Sequence, residues 1–301
     1  MTHPLSCHLN VFVPDVRDEA TSSALDVIAD AGFSHVGLPP FVPAEELPLL
    51  ARRLGERGLE PIPFVVQRAD ADVSSADPGV RSAGRRALDD AVEVASALGA
   101  TRLTGVPYAA YGHATRWTPD DRARAAQEVA RFAAVAADRG ITVSIEVLNR
   151  YETSALTTAA QGLAFLEECG SEHLRLHLDG FHMLIEEADV AAAIAAARPV
   201  LGVLEFGQSG RGALQDGGLD VAAAVRAAVA DGYDGAIAFE AFSRSVLPES
   251  ADRLRLWRDV GASPATLARE AARLLGDAVA AGVRARELAR TTDAAPQAVP
   301  A

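Results

Sequence analysis

The chain has 301 residues, 49% of them hydrophobic and 23% charged, with a formal net charge of −13. That length suits one eight-stranded β/α barrel with extensions or two ordinary domains, and the balance is that of a globular protein with a large core. An acidic chain without a long basic run is a poor nucleic-acid binder, no uncharged apolar stretch reaches the ~18 residues of a membrane span, and the first ten residues lack the regions of a signal peptide.

Apolar and β-branched runs at residues 9–13, 35–38, 61–66, 102–103, 142–148, 174–178, 201–206 and 236–242 predict eight strands. Between them, Ala-, Leu-, Arg- and Glu-rich segments at 16–31, 44–57, 80–98, 120–139, 155–168, 188–197 and 219–230 predict helices. Gly32, Gly58, Gly99, Gly140, Gly170 and Gly232 follow helical segments, where a glycine is the favoured stop. Strand and helix in alternation argue a parallel sheet with outer helices, and eight repeats argue closure into a (β/α)8 TIM barrel. A last helix at 264–288 would cover the barrel wall or a partner copy, which leaves a homo-oligomer open. Residues 1–290 contain no linker and are expected to form one domain, and the small, polar, proline-containing 291–301 a disordered tail. Cys7 and Cys169 are too few for a disulfide framework and read as ordinary thiols of a cytoplasmic protein.

Active sites of such barrels lie at the C-terminal strand ends. Late in the four last strands stand Glu146 (ITVSIEVLNRYE), Asp179 (LRLHLDGFHM), Glu205 (LGVLEFG) and Glu240 (GAIAFEAF). A single acid in an apolar strand is usually paired with an arginine or sits at a strand end. Four on successive, hence adjacent, strands would converge, and their mutual repulsion calls for a divalent cation such as Mg²⁺ or Mn²⁺. His177, two residues before Asp179, shares its side of the strand; it could reach a metal or substrate, but reads first as a core or supporting residue. After strand four, His113 and Trp117 either touch a substrate or form a solvated loop, and Tyr108 has the position to stack on a ligand ring. Asn149 and Arg150 are placed to orient Glu146 and its neighbours.

Longer words of sequence add to this reading. SIEVLNRYET at 144–153, LHLDGFHMLIEEAD at 176–189 and DGYDGAIAFEAF at 231–242 resemble motifs of the D-tagatose/D-psicose (ketose) 3-epimerase family, which belongs to the xylose-isomerase-like barrel superfamily. VSSADPGVRSAG at 73–84 is similar to that family's segment after strand three. The resemblance runs from about Leu9 to Leu275 and is strongest over strands five and six. It implies that Glu146 and Glu240 are metal-bound glutamates exchanging protons with C3 of a ketose, and that Asp179 is a pure metal ligand. It implies that Glu152 and His182 contact the C1–C2 end of the sugar, and that Arg211 also contacts it. It implies a divalent ion, Mn²⁺ first, with Mg²⁺ or Co²⁺ as alternatives.

One departure stands out. Where the family carries a histidine ligand on strand seven, this chain has Glu205, and no histidine follows His182. Either Glu205 serves as an oxygen ligand in a four-carboxylate site, or the site has loosened its metal and changed its chemistry. The resemblance therefore implies C3 epimerisation of a free ketose through an enediolate, with no basic cluster for a phosphate. The altered strand seven leaves open a lyase or isomerase of an oxidised sugar or inositol, as in inosose dehydratases and C-glycoside-cleaving subunits, or a non-catalytic sugar-binding relative.

Overall fold

The computed structural model describes residues 3–112, 115–259 and 261–293. Eight parallel strands close into a barrel in sequence order. They are β1 Leu5–His8, β2 His35–Leu38, β3 Glu60–Gln67, β4 Arg102–Ala110, β5 Thr142–Val147, β6 Leu174–Asp179, β7 Leu201–Phe206 and β8 Ala236–Phe239. β8 closes on β1 through the pairs Leu5↔Ile237, Ser6↔Ala238 and Cys7↔Phe239. The helices are α1 Thr21–Asp30, α2 Leu47–Gly55, α3 Pro78–Ala97, α4 Pro119–Ala137, α5 Ala159–Cys169, α6 Gly180–Glu186, α7 Val190–Ala197, α8 Val221–Ala230 and α9 Pro264–Asp293. Among the described residues no helix is long and apolar enough to cross a membrane.

Helix boundaries follow from their caps. Asp77 accepts from the Gly79 and Val80 amides and Pro78 occupies the first turn, so α3 starts there. Thr118 and Asp121 form a reciprocal capping box on α4. Gly170 ends α5 at φ +62°, a conformation open to glycine at little cost.

Several expected boundaries shift. The first strand is Leu5–His8, and the apolar run at 9–13 lies beyond it. Leu9–Val11 form a buried 3₁₀ turn instead, because the Asn10 side chain donates to the Val13 and Pro14 carbonyls and turns the chain off the ladder. α1 begins at Thr21 rather than residue 16, and residues 44–57 divide into a 3₁₀ turn, Ala44–Glu46, and α2. α6 was not foreseen; it starts directly on Asp179, whose side chain accepts from the Phe181 amide. β8 stops at Phe239, one residue short of Glu240. α9 continues to Asp293, three residues into the expected tail, and the rest of that tail lies outside the described residues.

The largest difference is β4, which runs nine residues rather than two. Its register against β3 jumps from Val66↔Val106 to Gln67↔Ala110, so residues 107–109 bulge, and Pro107 is tolerated there because no ladder bond is required of it. Gly105 sits at φ +124°, and an added Cβ would lie 2.2 Å from the Val65 carbonyl oxygen. Gly105→Ala is therefore expected to destabilise the protein by on the order of 3 kcal/mol, from backbone strain plus a clash that cannot relax by side-chain rotation. A urea-unfolding midpoint equal to that of the parent would contradict this.

Candidate active site and metal centre

Strand register brings the acids together. Glu146 on β5 stands beside His177 on β6, and Asp179 on β6 beside Glu205 on β7. Glu240 follows β8 directly, its amide donating to the Phe206 carbonyl at the end of β7. All four carboxylates are buried. Glu146, Glu152, His182, Arg211 and Glu240 line a cavity of about 470 Å³ at this end of the barrel, within the range of small-ligand sites. Asp179, Glu205 and His177 are fully buried and lie outside the lining of that cavity.

Each carboxylate has a distinct environment. Asp179 Oδ1 accepts from the Phe181 amide at 3.1 Å and the Gly207 amide at 2.8 Å, so that oxygen is committed to holding α6 and the strand-seven turn. Asp179 Oδ2 is buried without a hydrogen-bond partner, and so is Glu205 Oε2. Glu146 Oε1 lies 3.5 Å from His182 Nε2, and Glu146 Oε2 lies 4.0 Å from His177 Nδ1. Its backbone carbonyl takes the Tyr108 hydroxyl at 2.8 Å. Glu240 Oε2 accepts from Arg211 Nη1. Glu152 is held by two donors, Asn149 Nδ2 at 3.1 Å and the Tyr111 hydroxyl at 2.6 Å.

Arg211 is the cationic centre of the mouth. Besides Glu240 it faces Glu152 Oε1 at 3.6 Å and Asp179 Oδ2 at 3.9 Å. Its guanidinium carbon lies 3.4 Å from the Phe181 ring centre and 4.9 Å from that of Phe242, a sandwich that fixes the fork. The residue itself sits at φ +55°, in a turn where its amide donates to the Gln208 carbonyl.

Burial and charge divide the acids. Burial alone would raise the Glu146 carboxyl, but His177, His182 and Arg211 outweigh it and hold it below the usual range. Burial raises Asp179, against the pull of His182 and Arg211. Glu205 is raised well above an ordinary glutamate by burial, then by the charges of Asp179 and Glu146. Glu240 is likewise raised well above, by burial and by the neighbouring acids, with Arg211 opposing. A divalent cation would relieve the strain that these raised values express.

The residues fit such an ion. Among the described residues, two groups place one ligand atom each within 4.8 Å of the others: Glu146, His177 and Glu205, and Glu146, Asp179 and His182. Both are entirely buried, and their orphaned oxygens, Asp179 Oδ2 and Glu205 Oε2, want a cation. Glu240 belongs to neither group, and its Oε2 accepts from Arg211.

Other expectations fare unevenly. Asn149 does hold Glu152 and His182, but Arg150 turns outward and pairs with Glu186 at 2.8 Å instead of the central acids. Tyr108 does not face a sugar: it is fully buried. Trp117 does not line the cavity but packs on Tyr108 and Phe165, with ring centres 6.0 and 5.7 Å apart. His113 lies outside the described residues. Among the cavity residues that escaped the sequence reading are His8 and Tyr111. His8, edge-on to Phe64 at 4.6 Å and pushed down to about 4 by burial, was hidden because strand one was expected to begin after it. Tyr111 carries no local signal beyond its place after β4.

Comparison with known proteins agrees with this geometry. The family described as xylose isomerase-like TIM barrel matches residues 25–277. The chain is 36% identical over 262 residues to the L-ribulose 3-epimerase of Mesorhizobium japonicum, covering 86% of this chain and 88% of that protein. It is 36% identical over 280 residues to the ketose 3-epimerase of Arthrobacter globiformis, covering 92% and 97%. A solved structure of D-allulose 3-epimerase from Methylomonas sp. in complex with D-allulose superimposes with a TM-score of 0.86 at 33% identity, covering 92% of this chain and 99% of that one.

Proposed function

The chain belongs to the xylose isomerase-like TIM barrel family and, within it, to the ketose 3-epimerases, and from that premise we propose that it inverts C3 of a free ketose with the help of a divalent metal ion. One observation carries the reading: two buried glutamates, Glu146 from β5 and Glu240 after β8, reach one cavity that also holds the Arg211 fork and His182. Epimerisation needs a base on one face of C3 and an acid on the other, and no nicotinamide.

In this reading Glu146, Asp179, Glu205 and Glu240 would hold the ion, Mn²⁺ ahead of Mg²⁺ and Co²⁺. Bound there, such an ion would supply the electrophilic pull on the sugar oxygens that makes a proton beside a carbonyl acidic. The protein does the rest. Glu146 and Glu240 take and return the C3 proton from opposite sides. His182 Nε2–H and Glu152 bind the hydroxyls at the C1–C2 end, and Arg211 donates to a sugar oxygen while steadying Glu240. The buried surroundings exclude water that would compete for these groups. The substrate in this reading is an unphosphorylated sugar, as in the relatives named for free ketoses, and Arg211 offers a phosphate little, being already paired with three carboxylates. The enzyme works on small sugars in the cytoplasm.

Proton exchange tests this directly. In D₂O with added Mn²⁺, C3 of D-fructose, D-allulose or L-ribulose is expected to acquire deuterium, and chelation by EDTA to stop it. Exchange that is absent on every ketose tested, with the ion bound, refutes the reading. A dehydrated product in place of an epimer would assign the site to the lyases.

A further inference from the structure

Two histidines border the acids, and their hydrogen bonds set their ring protons differently. His182 Nδ1 faces the Asn149 amide nitrogen at 3.1 Å and Asn149 Nδ2 at 2.8 Å. The amide N–H can only donate, so Nδ1 accepts and the proton sits on Nε2. Nearby carboxylates favour that proton. Nε2–H then points at Glu146 and Asp179 as a donor, and has no lone pair for a metal.

His177 is the reverse. Its Nδ1 lies 2.8 Å from the Thr104 hydroxyl, which also lies 3.1 Å from the Ser144 carbonyl. A hydroxyl has one proton and a carbonyl can only accept, so Thr104 donates to Ser144 and accepts from Nδ1–H. The free lone pair is therefore on Nε2, which is fully buried and has no hydrogen-bond partner. It stands 3.0 Å from Glu205 Oε2, equally unpartnered: close, but not aligned for a hydrogen bond. Two donor atoms about 3.0 Å apart are what neighbouring ligands show at right angles on an ion with bonds of ~2.1 Å. An imidazole anchored through Nδ1–H to a neighbouring oxygen is also the usual posture of a metal-binding histidine.

We propose that His177 Nε2 is a metal ligand, contributing a nitrogen donor alongside Glu146 and Glu205. The assignment rests on the reading that a divalent ion occupies this site. It makes the centre a mixed carboxylate–imidazole site rather than one of carboxylates alone, which suits Mn²⁺ and Co²⁺ better than Mg²⁺. Thr104 acts as a positioning residue: it holds the ring's tautomer and never touches the ion. Neighbouring pairs in the β4–β5 and β5–β6 ladders, Thr104↔Ser144 and Glu146↔His177, carry the arrangement.

Pulsed electron paramagnetic resonance on the Mn²⁺-loaded full chain tests it without using activity. The expected result is a directly coordinated ¹⁴N that changes to ¹⁵N when histidine is isotopically labelled. It should persist in His182→Gln and His8→Gln, which leave His177 untouched, and vanish in His177→Gln. Mn²⁺ affinity should fall at least about tenfold in His177→Gln and by about 10–100-fold in Thr104→Val. Should His177→Gln not fold, the labelled parent and the two other variants still decide the matter. Stoichiometric Mn²⁺ without nitrogen coupling, or coupling lost with His182 or His8, overturns the assignment and leaves the metal reading standing. Failure of the parent to bind Mn²⁺ at all overturns the metal reading, and this assignment with it.

Discussion

Glu146→Gln and Glu240→Gln are each expected to lower deuterium exchange at C3 by about ten-thousand-fold, the scale of losing general acid–base catalysis at one face. Glutamine preserves volume and an oxygen donor, so the pocket and its packing remain. What disappears is the site that accepts or returns the proton. The two losses should be alike in size but different in companions. Glu146 has one ligand atom in each potential metal group, so its amide variant should also bind Mn²⁺ more weakly. Glu240 stands outside both groups and is turned to Arg211, whose hydrogen bond its glutamine can still accept, so its amide variant should weaken Mn²⁺ binding less than that of Glu146. The comparison needs NMR exchange at saturating Mn²⁺ and an independent metal titration of each variant. Undiminished exchange in either variant removes that residue from the catalytic pair. Lost exchange restored in Glu146→Gln by excess Mn²⁺ would make Glu146 a ligand only.

The part of this site that was legible beforehand is the part written along single strands. β7 stands at the expected residues, 201–206, because its apolar run ends in a glycine-rich turn. Glu146, Asp179, Glu205 and Glu240 stand out as acids late in apolar segments, which chain position alone reveals. β4 was nearly invisible: Gly105 and Pro107 break its pattern, and the bulge that accommodates them depends on β3. β1 was displaced because apolar residues continue past the ladder into a buried turn, and hydrophobicity does not separate strand from turn when both are buried. Glu152, His182 and Arg211 were reached only through the family resemblance. For His177 the sequence left a metal contact as the weaker of two readings, because its ring is set by Thr104, 73 residues earlier. A histidine's tautomer belongs to its partners across the barrel, and spacing does not carry that information.

Arg211→Met should give the largest loss of stability in metal-free protein, on the order of 3–5 kcal/mol. Arg211 is buried and faces Glu240, Glu152 and Asp179. Methionine fills the space between Phe181 and Phe242 and keeps contact with both rings, so packing changes little. It also adds no backbone strain, since φ +55° is no better for arginine than for methionine. The charge is what goes, and three carboxylates are left facing one another in a buried site. At roughly 2 °C per kcal/mol for a domain of this size, the EDTA-treated variant should melt about 6–10 °C below the parent. Added Mn²⁺ should recover much of that difference, because a bound cation supplies positive charge to the same acids and stabilises only the folded state. Exchange at C3 should nonetheless stay about a hundred-fold low, since the ion cannot replace a fixed donor beside Glu240. Arg211→Lys, which keeps the charge without the fork, should melt near the parent and still exchange slowly. Equal melting of Arg211→Met and parent in EDTA would show that the acids are already neutral without Arg211. The guanidinium would then serve substrate binding alone, and its loss should raise KM while leaving the melting curves unchanged.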